Sequence, residues 1–312
     1  MIQKKPLLFL MGPTASGKTG LSLDIAQRFN LEIINTDSVQ VYKEFTIGAA
    51  KPSPAEQARV VHHLLDLVSA KEVFSADRFR QMAWDLVERL NDRQVVPLLV
   101  GGSGLYFRAV EKGLACMPPL DGEIREQIRL EGERLGWPII HERLKQVDPT
   151  LAARLPPKDS QRICHGLTVF LTTGKTLSQW HQEQPPPPPF TLLKMALDWP
   201  RDLLNERINA RFDQMIDEGF LEEAETILQQ FDRDHPAMKA VGYRQLFAYL
   251  DGTVSREEAI EWGKRESRRY AKRQMTWLRR EENLNWIPWD QTAHAHMLVE
   301  QFLAQQSQNP TL

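Results

Sequence analysis

The distribution of apolar and polar positions divides the chain into two kinds of territory. Near the N-terminus, short unbroken apolar runs alternate with longer stretches of 3.6-residue periodicity. Residues 7–11 (Leu-Leu-Phe-Leu-Met) and 95–100 are such runs, which predict strands covered on both faces, as in a parallel sheet; 31–36, though broken by Glu32 and Asn35, also reads as a strand. Helices are predicted between them, over 18–29 and over 76–91. The second has Ser75 as its cap and Phe79, Met82, Ala83, Leu86, Val87 and Leu90 on one face. From about residue 116, past Pro118-Pro119, the strand pattern stops. Helical periodicity alone covers 121–135 and 138–146, a short helix opens at Asp148-Pro149, and Asp159 or Ser160 caps another that includes Phe170. The five prolines at 185–189 read as an extended boundary loop. Strand character returns at 192–197, then a helix capped by Asp202, a helix over 221–230, and a capping box at Ser255-Arg256-Glu257-Glu258 that opens a helix to about Glu282. Gly263, Ser267 and Ala271 form a stripe of small residues along that last helix, which permits close approach to a neighbour. The expected architecture is α/β, with a core around a parallel central sheet beginning at 1–115, an all-helical insertion at 116–190, and completion of the core with basic C-terminal helices at 191–312.

The turns between these elements carry the chemistry. Gly12-Pro13-Thr14-Ala15-Ser16-Gly17-Lys18-Thr19 joins the first strand to the first helix and fits the phosphate-loop pattern of Gly, four residues, then Gly-Lys-Ser/Thr. Glycines let the backbone curl so that successive N–H groups face one concavity, and the following helix adds its positive end. The core is therefore expected to be P-loop NTPase-like, with Lys18 reaching outer phosphate oxygens and the Thr19 hydroxyl holding Mg²⁺. Asp37 follows the second strand, where polar residues of an α/β sheet face the ligand crevice. It is the first carboxylate to suspect of proton chemistry. The third strand runs into Gly101-Gly102-Ser103-Gly104, a turn expected beside the phosphate loop. A nucleotide-hydrolysing enzyme often places a metal-holding Asp there; glycines and a serine in its stead argue against a plain ATPase. Arg207 and Arg211, four apart, share a helix face.

Composition changes this picture only locally. The net charge of the 312 residues is −2, yet between Lys264 and Arg280 eight basic residues stand against one acid, Glu266. Such an excess is a candidate polyanion footprint. Cys116 and Cys164 have neither disulfide-framework nor metal-ligand spacing, and buried thiols in a reducing cytosol are expected. Neighbouring His62 and His63 point in different directions on any regular element, so packing or supporting roles are expected in place of a metal pair. No run of 18 apolar residues predicts a membrane span. No signal peptide is expected ahead of the first strand, and the expected location is the cytoplasm.

Taken in order, these stretches resemble the tRNA dimethylallyltransferases (tRNA isopentenyltransferases). The likeness is carried by residues 12–19, Asp-Ser-Val-Gln-Val-Tyr at 37–42, Ile-Gly-Ala-Ala-Lys-Pro at 47–52, His-His-Leu-Leu-Asp at 62–66, Val-Gly-Gly-Ser-Gly-Leu-Tyr at 100–106, Asp-Ser-Gln-Arg-Ile at 159–163, Val-Gly-Tyr-Arg at 241–244 and Lys-Arg-Gln-Met-Thr-Trp-Leu-Arg at 272–279. The resemblance implies transfer of a dimethylallyl group from dimethylallyl diphosphate to N6 of the adenosine 3′-adjacent to the anticodon, by a monomer using Mg²⁺. It makes Asp37 the general base, places Ser103 beside the reacting nitrogen, and gives the diphosphate to residues 12–19 with Lys18 and Arg211. It assigns tRNA contacts to Asp37, Ser38, Val39 and Gln40, to Ser103 and Arg125, to Gln161, Arg162, Ile163, Cys164 and His165, and to Lys239, Gly242, Tyr243 and Arg244. Lys272, Arg273, Gln274, Met275, Thr276, Trp277, Leu278 and Arg279 complete that set, and the helical insertion is the part expected to hold the anticodon stem-loop. The family commonly has Thr where Ser103 stands and Arg where His165 stands. The alternatives are a small-molecule kinase using ATP on the same loop, or an isopentenyltransferase acting on free adenylate.

The basic segment generates the first expected outcome. Binding of unmodified tRNA should weaken by about tenfold or more between 50 and 200 mM salt, as release of phosphate counterions requires; filter binding at both concentrations checks it.

Overall fold

The computed structural model describes residues 4–115, 117–183 and 189–308. The chain forms two compact units, Met1–Glu111 with Pro188–Leu312, and Lys112–Pro187. The first unit opens with β1 (Lys5–Met11), α1 (Lys18–Phe29), β2 (Glu32–Thr36), α2 (Pro54–Arg59), β3 (His62–His63), α3 (Ala76–Asp92), β4 (Pro97–Gly101) and α4 (Gly104–Lys112). The second contains α5 (Gly122–Leu135), α6 (Trp137–Val147), α7 (Pro149–Ala152), α8 (Ser160–Thr173) and α9 (Leu177–Gln182). The chain then returns to the first through β5 (Phe190–Asp198), α10 (Arg201–Asp217), α11 (Phe220–Gln230), α12 (Tyr243–Leu250), α13 (Arg256–Leu278), β6 (Leu284–Pro288) and α14 (Thr292–Gln308).

Among the described residues the strands make one parallel sheet in the order β3-β2-β4-β1-β5-β6. Side chains alternate across it, which explains the unbroken apolar runs. Leu7, Phe9 and Met11 of β1 join Ile34, Leu99, Phe79, Val87, Phe107 and Tyr243 on one face. Leu8 and Leu10 join Ile33, Leu98, Leu23, Ile25, Ile287 and Val299 on the other. Both faces are dry, so the middle strands β1 and β4 are apolar along nearly their whole length. A buried charge in the sheet is neutralised by two partners: Lys194 of β5 is paired with Glu111 (2.9 Å) and Glu281 (3.1 Å).

The second unit has its own core, built from Ile128, Ile140, Leu144, Leu155, Ile163 and Leu167. Asp121, Asp148 and Asp159 cap α5, α7 and α8 as their side chains accept from the first-turn amides.

The structure corrects several expectations. Asp202 does not cap α10: Pro200 holds the cap position and Asp202 lies in the first turn, where a carboxylate still favours the positive helix end. α13 stops at Leu278 and not near Glu282, because the chain turns through Asn283 (φ 54) to lay β6 against β5. That strand and α14 have no periodicity strong enough to announce them. Helices α2 and α9 were legible in principle, since Ser53 with Glu56 and Thr176 with Gln179 both form capping boxes. Prolines 185–188 and Cys116 lie outside the described residues; Cys164 is buried.

The small-residue stripe does what its spacing predicts. A Cβ at Gly263 would collide with the Phe212 ring, so α10 and α13 touch closely there, and Ala271 packs with Leu204 and Ile208. These two helices bring Arg211 and Tyr270 to the site described below. Gly263→Ala should cost about 1–3 kcal/mol through overpacking, read as a lowered midpoint in urea unfolding at unchanged slope.

Candidate active site

β1 and β4 are neighbours in the sheet, with Met11 opposite Gly101, so the turns after them leave the same edge. The phosphate loop lies after β1. Gly17 (φ 87) ends the loop in the left-handed region and α1 begins at Lys18, which aims the free N–H groups of the first helical turn into the loop. Ala15 is also left-handed, at φ 61, so its peptide is turned at a cost that neighbours must offset. Arg207 and Trp199 hold that stretch: Arg207 Nε donates to the Ala15 carbonyl at 3.1 Å and Trp199 Nε1 to the Ser16 carbonyl at 3.0 Å. The guanidinium of Arg207 also lies over the Trp199 ring, 4.7 Å from its centroid.

Lys18 folds back on its own loop, its Nζ donating to the Pro13 carbonyl at 2.6 Å. With Thr19, Arg207, Arg211 and Gln214 it lines a cavity of about 390 Å³. Burial pushes the Lys18 ammonium down to about 7, the Arg211 charge pushes the same way, and the Asp37 carboxylate opposes them. Arg211 is likewise lowered by burial, against the pull of Asp37. Two cations facing each other across a space lined by phosphate-loop residues have the electrostatics of an anion site.

Asp37 follows β2. Its Oδ1 accepts the Val39 amide at 2.8 Å and the Gln40 amide at 3.4 Å. It lines a cavity of about 130 Å³ together with Lys18, Thr19, Arg211, Tyr270 and Gln274. It also lines a larger one of about 330 Å³, walled by Ile208, Phe212 and Met215 among others. The carboxylate thus borders both the polar, phosphate-loop side and a chamber of mixed lining with one apolar wall. Ser103 lies beside it: the Ser38 amide donates to Ser103 Oγ at 3.2 Å, and Tyr270, which lines the same cavity as Asp37, interacts with that side chain. Burial raises the Tyr270 phenol, which therefore stays protonated.

The remaining wall is the segment 46–50. Glu223 of α11 accepts the amides of Thr46, Ile47 and Gly48 at 2.7–3.1 Å and the Tyr243 hydroxyl at 2.5 Å. Gln40 Nε2 donates to the Ala49 and Ala50 carbonyls. Glu223, Trp199 and Tyr270 are site residues that the sequence reading missed. A glutamate three residues into an ordinary amphipathic helix gives no sign of its three backbone partners.

The family model described as IPP transferase matches residues 40–281. The tRNA dimethylallyltransferase of Magnetococcus marinus is 49% identical over 89% of this chain and 92% of its own. That of Nitrosomonas europaea is 41% identical over 97% of each. The chain belongs to the IPP transferase family. Two solved structures agree. A tRNA isopentenylpyrophosphate transferase from Bacillus halodurans superposes with TM-score 0.73 at 35% identity, covering 98% of this chain and 99% of that one. A eukaryotic dimethylallyltransferase captured acting on tRNA gives 0.81 at 26% identity, covering 97% and 80%.

In this IPP transferase the expected polynucleotide contacts separate by exposure. Lys272, Arg273 and Thr276 of α13 and Arg279 just after it are exposed, as are Lys239 and Arg244. Gln274, Met275 and Leu278 lie on the buried side of the same helix, and Trp277 is half-buried against Phe107. Gly242 and Tyr243 are also inside: Tyr243 is fully buried, packed on Phe45 and Phe220 and bonded to Glu223. The side chains of Gln274, Met275, Leu278 and Tyr243 are held by the core and its hydrogen bonds, and Gly242 is buried beside them. Some of the basic segment is committed too, Lys264 to Asp213, Arg269 to Glu266 and Arg268 to Asn209. Within the helical unit, Arg125, Gln161 and Arg162 are exposed at the starts of α5 and α8. Ile163 and Cys164 face that unit's core. His165 is half-buried, and burial lowers its imidazole with Arg125 and His181 adding to the effect.

The histidine pair serves the fold, as expected. His62 Nδ1 meets the Val60 carbonyl at 2.8 Å and His63 Nε2 meets Glu32 at 2.7 Å. Among the described residues no group of three or more His, Cys, Asp or Glu is placed to hold a metal ion, and no helix is long and apolar enough to cross a membrane.

Lys18 sets a sign for pH. Its ammonium is lowered from 10.5 to about 7 in the folded chain, so between those values the folded state holds fewer protons than the unfolded one and stability rises with pH. An anion placed on the loop reverses the preference and draws a proton onto Lys18. Binding of inorganic diphosphate at pH 8.5 should therefore take up more protons in the wild-type protein than in Lys18→Met, by up to one per complex. Calorimetry in buffers of different ionisation enthalpy measures it.

Proposed function

We propose that the protein transfers a dimethylallyl group from dimethylallyl diphosphate to the exocyclic N6 of the adenosine 3′-adjacent to the anticodon of tRNA, releasing diphosphate. The observation that supports this most directly is the place of Asp37 in two cavities: it stands with Lys18, Thr19 and Arg211 in one and borders a second with an apolar wall of Ile208, Phe212 and Met215. An acceptor base, an anion clamp and space for a short hydrocarbon are the three things such a transfer needs. The relatives named above as tRNA dimethylallyltransferases add the substrate class.

The adenine amino group is a weak nucleophile because its lone pair is shared with the ring. As nitrogen bonds to the allylic carbon and the carbon–oxygen bond to diphosphate breaks, the nitrogen loses a proton. Backbone amides already occupy Asp37 Oδ1, so acceptance of that proton falls to Oδ2. Negative charge gathers on the departing diphosphate, where the loop amides, Lys18 and Arg211 stabilise it more than they stabilise the bound ester. Ser103, held by the Ser38 amide, orients the amino group. The target base has to leave its stack to arrive there.

Mg²⁺ suits this donor set. Magnesium prefers few protein oxygens, several waters and substrate phosphates, and Thr19 offers a hydroxyl in the cavity shared by Lys18 and Asp37. When bound it would neutralise diphosphate charge. The exposed Lys239, Arg244, Lys272, Arg273 and Arg279 are assigned to the tRNA backbone, and the helical unit with Arg125, Gln161 and Arg162 to the anticodon stem-loop. The same reading has the protein act as a monomer in the cytoplasm. A kinase would need a metal-holding carboxylate after β4, where Gly101, Gly102 and Ser103 stand.

The test is mass spectrometry of nucleosides from unmodified tRNA incubated with protein, dimethylallyl diphosphate and Mg²⁺. Wild-type protein should yield N6-dimethylallyladenosine, and Asp37→Ala should lower turnover by about 10²–10⁴. Near wild-type turnover in that variant removes Asp37 as the base.

A further inference from the structure

The buried polar side chain at 274 is unlike its neighbours. Lys272, Arg273 and Thr276 are exposed, whereas Gln274 is only 7% exposed. Its amide is used at both ends. Oε1 accepts the Thr14 amide of the phosphate loop at 2.9 Å, and Nε2 donates to the Gly102 carbonyl in the turn after β4 at 3.0 Å. No other kind of side chain of this length offers one acceptor and one donor in a fixed plane without charge. The fit leaves no slack: a Cβ at Gly102 would collide with Nε2, so glycine there is what lets the amide in. One helical turn earlier, Tyr270 lines the same cavity as Gln274 and Asp37.

We propose that Gln274 is a positioning residue for the transfer, a cross-brace that fixes the loop carrying the diphosphate relative to the turn carrying Ser103. This role presupposes the transfer reaction proposed above. It also reassigns a residue within the basic helix: Gln274 acts on the diphosphate side of the reaction and makes no contact with tRNA. One helix thereby serves two purposes on opposite faces, cations outward and a loop brace inward. The physical basis is that a buried amide satisfied at both ends holds both partners, while an apolar replacement leaves the Thr14 N–H and the Gly102 carbonyl unmet and lets the two turns drift apart.

Three variants test it: Gln274→Met, which keeps length but removes both bonds; Gly102→Ala, which displaces the amide while leaving the glutamine in place; and the pair together. The readouts are the Kd of inorganic diphosphate with Mg²⁺, the Kd of unmodified tRNA, and amide hydrogen exchange across 12–19 and 101–104. Each single variant should raise the diphosphate Kd about tenfold and speed exchange in both segments, the double variant should add little to either, and tRNA affinity should stay within about twofold. Unchanged diphosphate affinity in both single variants, fully additive effects, or an equal loss of tRNA affinity would overturn the brace. Wild-type protein that binds diphosphate but leaves tRNA unmodified would instead defeat the transfer reaction while leaving the tether between the two turns measurable. If Gln274→Met fails to fold, Gly102→Ala still decides the matter.

Discussion

Everything at the site depends on how closely three strand ends are pressed together. β4 lies between β2 and β1, and at its last residue, Gly101, a Cβ would collide with the Thr36 carbonyl. Because that contact is backbone against backbone, the phosphate loop after β1, Asp37 after β2 and Ser103 after β4 emerge within one small region. Parallel pairing supplies the direction, and glycine supplies the proximity. Phosphate-loop folds that hydrolyse nucleotides use the same convergence with a metal-binding carboxylate after the corresponding strand; here the acid comes from β2.

The loop itself is held by side chains distant in sequence. Gln274, Arg207 and Trp199 each fix one of its peptide groups, and each comes from the C-terminal part of the first unit. Completion of that unit after the helical unit is therefore a chemical requirement as well as a topological one. Lys18 and Thr19 are local to the loop, whereas Arg211, which lines the same cavity, and the side chains that shape the loop are not.

This division explains what the sequence revealed. The phosphate loop, Asp37 and the glycine turn at 101–104 were legible because motif and strand end coincide over a few residues. The parallel sheet was legible from the dry runs of β1 and β4, and the close contact of α10 with α13 from Gly263, Ser267 and Ala271. β6 and α14 were not, since β6 is a short edge strand ending in Pro288 whose pairing with β5 is set by tertiary contact. Burial on α13 was also hidden: Gln274 and Arg273 are adjacent in a strongly basic stretch, and only the packing of the helix shows that one points inward. The burial of Tyr243 was hidden for a related reason, because nothing in a residue beside Arg244 announces that its hydroxyl is held by Glu223.

The three-amide grip of Glu223 on residues 46–48 sets a boundary on redesign. That wall is backed by Phe220 and Tyr243, against which even a methyl group at Gly48 would collide, so it cannot retreat to admit a bulkier hydrocarbon. The side that can give way is at Met215, whose flexible side chain lines the larger chamber and also the smaller cavity shared by Asp37, Lys18 and Arg211.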